Sequence, residues 1–285
     1  LRGRLETEAQ GSSNMPHRLL AAGFGLLLAA VVGPGAATAA DNALERITKA
    51  GVVRVAVPDN FPPFGNLGAD SKLHGYDIDT AALIAEALGA NLDLVAVPST
   101  DRIPSLTSGK VDLIVSTLGK NAEREKQIDF SIAYAPFYSA VYGPASLDVV
   151  KSADLAGKSI AVTRNTIEDD ALTEVAPADA TIKRFDDNAG TEVAFLSSET
   201  DLIATGNGVA GEMLEKSIVR RTALKFILRN SPCYVGVAKG QAELLARVDM
   251  ILDEARKDGS LDRISQRWLK APLDDPEHPT AISPK

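Results

Sequence analysis

The chain has 285 residues, 45% of them apolar, with 30 basic and 38 acidic side chains and a formal net charge of −8. That length holds one large or two medium domains with real cores, and the composition excludes collagen, coiled coil and extended disorder. An acidic chain without a basic run is a poor partner for nucleic acid or an anionic membrane, and the single cysteine, Cys233, rules out an internal disulfide framework or a cysteine-based zinc site.

Residues 1–14 precede Met15 and read as an upstream extension. Residues 15–39 read as a secretion signal. His17 and Arg18 form a short basic start, and Leu19 to Val32 form an apolar run of 14 residues. Gly33-Pro34-Gly35 breaks it, and Ala37-Thr38-Ala39 supplies small residues for cleavage. A membrane-spanning helix needs about 20 apolar residues, so the run suits a cleaved leader better than an anchor. The expected product is a soluble monomer in the periplasm, with its new end near Ala40.

Beyond the leader, short β-branched runs alternate with helical patterns. Strands are expected at Val52–Val57, Leu92–Val97, Val111–Ser116, Ser159–Thr163, Thr181–Phe185, Asp201–Thr205, Lys225–Leu228 and Tyr234–Ala238. Helices are expected at Asp79–Leu88, Arg102–Ser108, Glu168–Val175, Ala189–Ser198, Gly208–Lys216, Gln241–Lys257 and Leu261–Trp268. Apolar strands between amphipathic helices define an α/β class with mostly parallel sheets covered on both faces. Tyr134–Pro144, rich in aromatic and small residues, fits neither pattern and reads as a crossing between lobes; Arg229–Pro232 reads as a second. Two crossings divide the chain into lobe one, 41–136 plus 233–285, and lobe two, 137–232.

In parallel α/β sheets, ligands sit beyond the carboxyl ends of strands, where backbone N–H groups point outward. That rule selects Asp59, Asn60, Phe61 and Phe64 after the first strand, and Thr117, Gly119 and Arg124 after the third. It also selects Arg164, Asn165 and Thr166 after Ser159–Thr163, with Gly206 and Asn207 after Asp201–Thr205. These clusters alternate between lobes, as a clamshell site requires.

Several motifs in one order carry a family resemblance. They are Gly75-Tyr76-Asp77-Ile78-Asp79, Asp101-Arg102-Ile103-Pro104-Ser105-Leu106, Ser108-Gly109-Lys110-Val111-Asp112, Glu123-Arg124 and Asp129-Phe130-Ser131. Asp258-Gly259-Ser260-Leu261 and Arg267-Trp268-Leu269 close the series. Over residues 44–270 the chain resembles the type 3 bacterial solute-binding proteins that serve ABC importers of polar amino acids. The resemblance implies a two-lobed periplasmic-binding-protein clamshell, a small carboxylate-bearing ligand and a permease partner. It also implies that Arg124 clamps the ligand carboxylate, helped by backbone N–H groups near Thr117 and Gly119, as a planar guanidinium can do with two bonds. By position alone Arg124 is a helix-surface residue. Phe61 matches an aromatic that lies on the ligand, or else belongs to the lobe-one core. Arg102 matches a side-chain contact of binders of acidic amino acids, or else is a solvated helix residue. Thr166 matches a lobe-two contact at a helix N-terminus, or else is a plain N-cap.

Two positions depart from the family pattern. Gly206 stands where these binders carry the aspartate that anchors the ligand ammonium; Asp187 and Glu212 are candidate replacements. Asn165 stands where glycine is usual, and Asn tolerates a left-handed backbone. Gly157-Lys158-Ser159 ends like a phosphate-binding loop, but Ser152 occupies the place of its first glycine and a strand follows. No metal, cofactor or nucleophile motif is expected. The alternatives to a transport protein are a dehydratase-type enzyme on the same fold and a sensing module that docks on a membrane partner.

Overall fold

The computed structural model describes residues 42–216 and 220–273; the segments expected as upstream extension and leader lie outside them. The chain opens with α1 (Ala43–Ala50), capped by the Asn42 side chain and ended by Gly51 at φ 65°. β1 (Val52–Val57) leads to three short strands, β2 (Asn60–Phe61), β3 (Gly65–Leu67) and β4 (Leu73–His74), which make a small antiparallel sheet. Then come α2 (Tyr76–Ala87), β5 (Asn91–Ala96), α3 (Arg102–Thr107), β6 (Leu113–Leu118), the one-turn α4 (Ala122–Glu125) and β7 (Ile128–Ala135). After Pro136 and Phe137 follow β8 (Tyr138–Pro144), β9 (Ser159–Thr163), α5 (Ile167–Val175), β10 (Thr181–Phe185) and α6 (Asn188–Leu196). β11 (Leu202–Gly206), α7 (Asn207–Lys216) and β12 (Thr222–Asn230) complete this stretch. Ser231 and Pro232 lead to β13 (Cys233–Ala238), α8 (Ala242–Lys257) and α9 (Ser260–Trp268).

Two five-stranded sheets carry the architecture, ordered β5-β1-β6-β13-β7 and β10-β9-β11-β8-β12. In each, four strands point one way and one runs against them, β13 in the first sheet and β8 in the second. β7 hands the chain to the second sheet at 136–137, and β12 hands it back at 231–232. We call each large sheet with its helices a lobe. The lobe-one core mixes aliphatic and aromatic side chains, and the lobe-two cluster around Val141, Ile160, Val162 and Leu202 is aliphatic. The lobe-one core reaches Phe137, Ile167 and Val209 across the junction, and the described residues belong to one compact unit.

Two sequence expectations need correction. Tyr134–Pro144 is not a long crossing but the end of β7, a two-residue link and all of β8, whose centre is fully buried. Its small and aromatic residues suit a strand paired on both sides, between β11 and β12, where no alternation is required. The third strand begins at Leu113 instead of Val111, so Thr117 and Leu118 lie inside it. The cause is Asp112, whose carboxylate accepts from the Arg54 guanidinium at 2.7 and 3.0 Å and from Arg46 at 2.9 Å. Burial opposes the charge on Asp112, but these arginines still hold its pKa below the ordinary value.

The motifs that read as a family signature prove to be clasps. Trp268 Nε1 donates to Asp79 at 2.7 Å, with Arg267 at 3.0 Å, so α9 is tied to the start of α2. Gly75 has φ 145°, and a Cβ there would lie 2.2 Å from the Phe64 carbonyl oxygen, so only glycine fits.

Candidate functional site

The lobe-one wall of the junction is shaped by a buried carboxyl group. Asp77 accepts from the Thr117 hydroxyl and the Tyr134 hydroxyl, each at 2.6 Å. The Thr117 N–H donates in turn to the Tyr134 hydroxyl at 3.2 Å, and Tyr76 fixes Tyr134 through its carbonyl at 3.1 Å. Complete burial pushes the Asp77 pKa up to about 6, against the two hydroxyl donors. This network holds Thr117 at φ 45°, a rare conformation for a β-branched residue, and so sets the bend that leads to Gly119. The N–H and hydroxyl of Thr117 thus both have partners within this network.

Arg124 bridges the lobes. Its Nη1 donates to the Gly119 carbonyl at 2.8 Å and its Nη2 to the Asn165 carbonyl at 2.9 Å, with Asp170 at 4.0 Å. Asn121 caps its turn at 2.8 Å and also donates across the cleft to Asp170 at 2.8 Å. Asn165 adopts the left-handed conformation, φ 59°, that turns its carbonyl toward the guanidinium.

Beside it stands a more deeply buried arginine. Arg102, in the first turn of α3, lines an interlobe cleft of about 740 Å³ together with Arg124, Asn165, Asp169 and Asp170. It is 7% exposed, and its Nε meets no hydrogen-bond acceptor. Burial first, and then the neighbouring Arg124 charge, lower its pKa to about 10 against the opposing charges of Asp77 and Glu168. Glu168 approaches from lobe two in the first turn of α5. It is 5% exposed, and its Oε1 has no donor. Burial raises its pKa, opposed first by its own backbone and the Thr166 hydroxyl and then by Arg102 and Arg124. Ser231, at the second crossing, has an unpartnered buried hydroxyl, and a Cβ on Gly119 would lie 2.5 Å from it.

The other side of the junction is apolar. Phe61, Phe64 and Phe137 form a cluster with ring centroids 5.7–6.4 Å apart. A Cβ on Gly206 would fall 2.1 Å from the tip of the Phe137 ring, and one on Gly208 would fall 2.6 Å from Phe64. The place of the expected ammonium anchor is thus filled by an aromatic ring.

The remaining candidates separate. Asn207 accepts from the Tyr138 N–H at 3.2 Å and so fixes the first crossing. Asn60 accepts weakly from Asn188 of lobe two at 3.4 Å. Thr166 caps α5, its hydroxyl accepting from the Asp169 N–H at 3.2 Å. Asp59 lines a separate shallow hollow with Leu67 and Lys72. Asp187 does not reach the cleft: it is exposed, and its carboxylate caps α6 by accepting from the Gly190 N–H at 2.7 Å. The side chain of Glu212 lies outside the described residues. Sequence reasoning missed Glu168, Phe137 and Ser231. Glu168 entered only as the first residue of an expected helix, and the other two fell in segments read as connections. The flag that was available is the pairing of Gly206 and Gly208 with an aromatic at a lobe crossing.

Two α/β lobes joined by two short crossings, with arginines facing a cleft between them, define a clamshell ligand-binding protein. The chain belongs to the bacterial extracellular solute-binding proteins, family 3, whose profile matches residues 53–271. It is 25% identical over 249 residues to the L-cystine-binding protein TcyJ of Escherichia coli strain K12, covering 86% of this chain and 93% of that one. It is 30% identical over 208 residues to the ABC transporter glutamine-binding protein GlnH of Bacillus subtilis strain 168, covering 71% and 75%. Among solved structures, the cysteine-binding protein of Campylobacter jejuni superposes with a TM-score of 0.76 at 25% identity, covering 82% of this chain and 95% of that one. These relatives are amino-acid-binding proteins by name. Among the described residues no helix is long and apolar enough to cross a membrane.

Proposed function

We propose that this protein is the periplasmic solute-binding component of an ABC importer and captures a small carboxylate-bearing ligand, an amino acid or related organic acid, by closing its lobes. The observation that carries this reading is the pair Arg102 and Arg124, two guanidinium groups removed from water beside one another at the interlobe cleft of an acidic chain. Burying two like charges together is unfavourable without counter-charge; the Asp77, Glu168 and Asp170 carboxylates supply part of it, and an incoming anion would add to it. Arg124 already ties Gly119 to Asn165 across the cleft, so a carboxylate placed there would stabilise the closed arrangement as well as being held by it. Arg102, with no acceptor for its Nε, offers a second cationic position that suits a ligand with another anionic end. The leader expected at 15–39 would deliver the chain to the periplasm, where it would act as a monomer and dock on a permease.

The test is a thermal-shift screen over amino acids and small carboxylates, because a ligand specific to the native state raises the melting point. Arg124→Ala should then weaken the best ligand by about 2–5 kcal/mol in calorimetry, the usual cost of truncating one member of a buried charge pair. Binding within about threefold of wild type, under ~1 kcal/mol, would remove Arg124 from the anchor. If no carboxylate binds, the reading fails altogether.

A further inference from the structure

Five buried side-chain atoms among the described residues have no hydrogen-bond partner: Arg102 Nε, Ser116 Oγ, Glu168 Oε1, Ser231 Oγ and Ser265 Oγ. Buried polar groups are nearly always satisfied in native proteins, so each such atom asks for an explanation. Three of the five gather at the junction of the lobes. Arg102 lines the cleft with Asn165, Asp169 and Asp170; Glu168, in the first turn of α5, is buried outside that lining, where the Arg102 and Arg124 charges still act on it. Ser231 lies against the Gly119 position, and Ile167, the neighbour of Glu168, lies 3.2 Å from that same position. The set holds one strong donor from lobe one and one strong acceptor from lobe two. A lone cation or a lone anion would satisfy only half of it, whereas a zwitterion would satisfy both halves.

Building on the proposed solute-binding role, we infer that Glu168 is the amine acceptor of this site, taking over from the closed position at Gly206. A bound amino acid places its ammonium on Glu168 Oε1 and its carboxylate toward Arg102 and Arg124. Ligand selection on this basis favours amino acids over the corresponding plain carboxylic acids. Gly206 cannot host the anchor because Phe137 fills the space a side chain would need. Asp187 cannot either, because it caps α6 on the exposed surface. Asp169 and Asp170 are already engaged, the first by Arg184 at 2.8 Å and the second by Asn121 at 2.8 Å. Glu168 differs in having one carboxylate oxygen, Oε1, buried without a donor, although its own backbone N–H and the Thr166 hydroxyl act on the group.

The experiment compares wild type and Glu168→Gln by calorimetry. The probes are the twenty protein amino acids and L-cystine, and then the desamino acid of the tightest binder. The expected result is that wild type prefers the amino acid, that Glu168→Gln weakens it by about 30-fold or more, and that the desamino acid changes by less than about threefold. Melting curves of the variant establish that it folds, and Glu168→Asp should recover part of the preference because it restores the charge. The inference is overturned if Glu168→Gln weakens both probes equally or neither. It is also overturned if only carboxylic acids without an amine bind, an outcome that leaves the solute-binding role intact. Failure of every probe, desamino acids included, would defeat that role and this inference together.

Discussion

Replacing Gly206 by alanine tests the packing that separates this cleft from the expected one. The backbone at Gly206 is ordinary β-strand, paired with Ser139, so the substitution carries no φ penalty. The difficulty is space: the new methyl would lie 2.1 Å from Phe137 Cζ and 2.4 Å from its Cε2. The ring cannot swing aside, because Phe61 and Phe64 hold it at centroid distances of 6.4 and 5.7 Å and it is 2% exposed. Overpacking of this kind costs about 1–3 kcal/mol. In a chain of this size each kilocalorie lowers the melting point by roughly 2–4 °C. Phe137→Ala alone should cost about 3–5 kcal/mol through the cavity it leaves. The double variant should be more stable than the sum of the two losses predicts, by about 1 kcal/mol or more, because the methyl then occupies space the ring has vacated. Urea denaturation of the four proteins measures this coupling. Additivity within about 0.5 kcal/mol, or a Gly206→Ala protein as stable as wild type, would refute the claim that Phe137 fills this position. The same geometry forbids aspartate at 206 unless Phe137 is shortened as well.

Asp77 should give stability a pH dependence of unusual sign for a carboxyl group. Its folded pKa is raised from 3.8 to about 6, so the native state holds the proton more tightly than the unfolded chain does. The contribution is therefore full below about pH 3.8 and is lost as pH rises through about 6, amounting to ~3 kcal/mol at 1.36 kcal/mol per unit. Asp77→Asn should lack this term, so the wild-type and variant stability curves should converge or cross over that window in urea titrations; parallel curves would disprove it. Asp187→Ala should cost about 1 kcal/mol of stability by uncapping α6 and leave ligand affinity unchanged in calorimetry. A loss of binding there would return Asp187 to the site.

The β-branched runs at 52–57 and 159–163 are strands with the bounds expected, because a central strand covered on both faces is mostly apolar and ends where that run ends; 181–185 keeps its expected bounds as a largely exposed edge strand carrying Lys183 and Arg184. The helix start at Thr166 was legible for the same local reason, since a hydroxyl that caps its own third N–H needs nothing from elsewhere in the chain. Two residues that line the cleft, Arg102 and Arg124, were also legible as candidates in the sequence. Their partners were not. Whether an arginine faces solvent, a carbonyl across a cleft or another arginine depends on which loops two separate sheets bring together, and no spacing in the sequence encodes that distance. Glu168 illustrates the limit. Its neighbours Asp169 and Asp170 are chemically almost identical to it, and all three sit in one helical turn, where acids are expected for the dipole alone. The helical rotation of about 100° per residue gives the two aspartates partners and leaves Glu168 Oε1 buried without one. Sequence determined that three acids would begin this helix; only the docking of α5 against the other lobe decided which of them was left for a ligand.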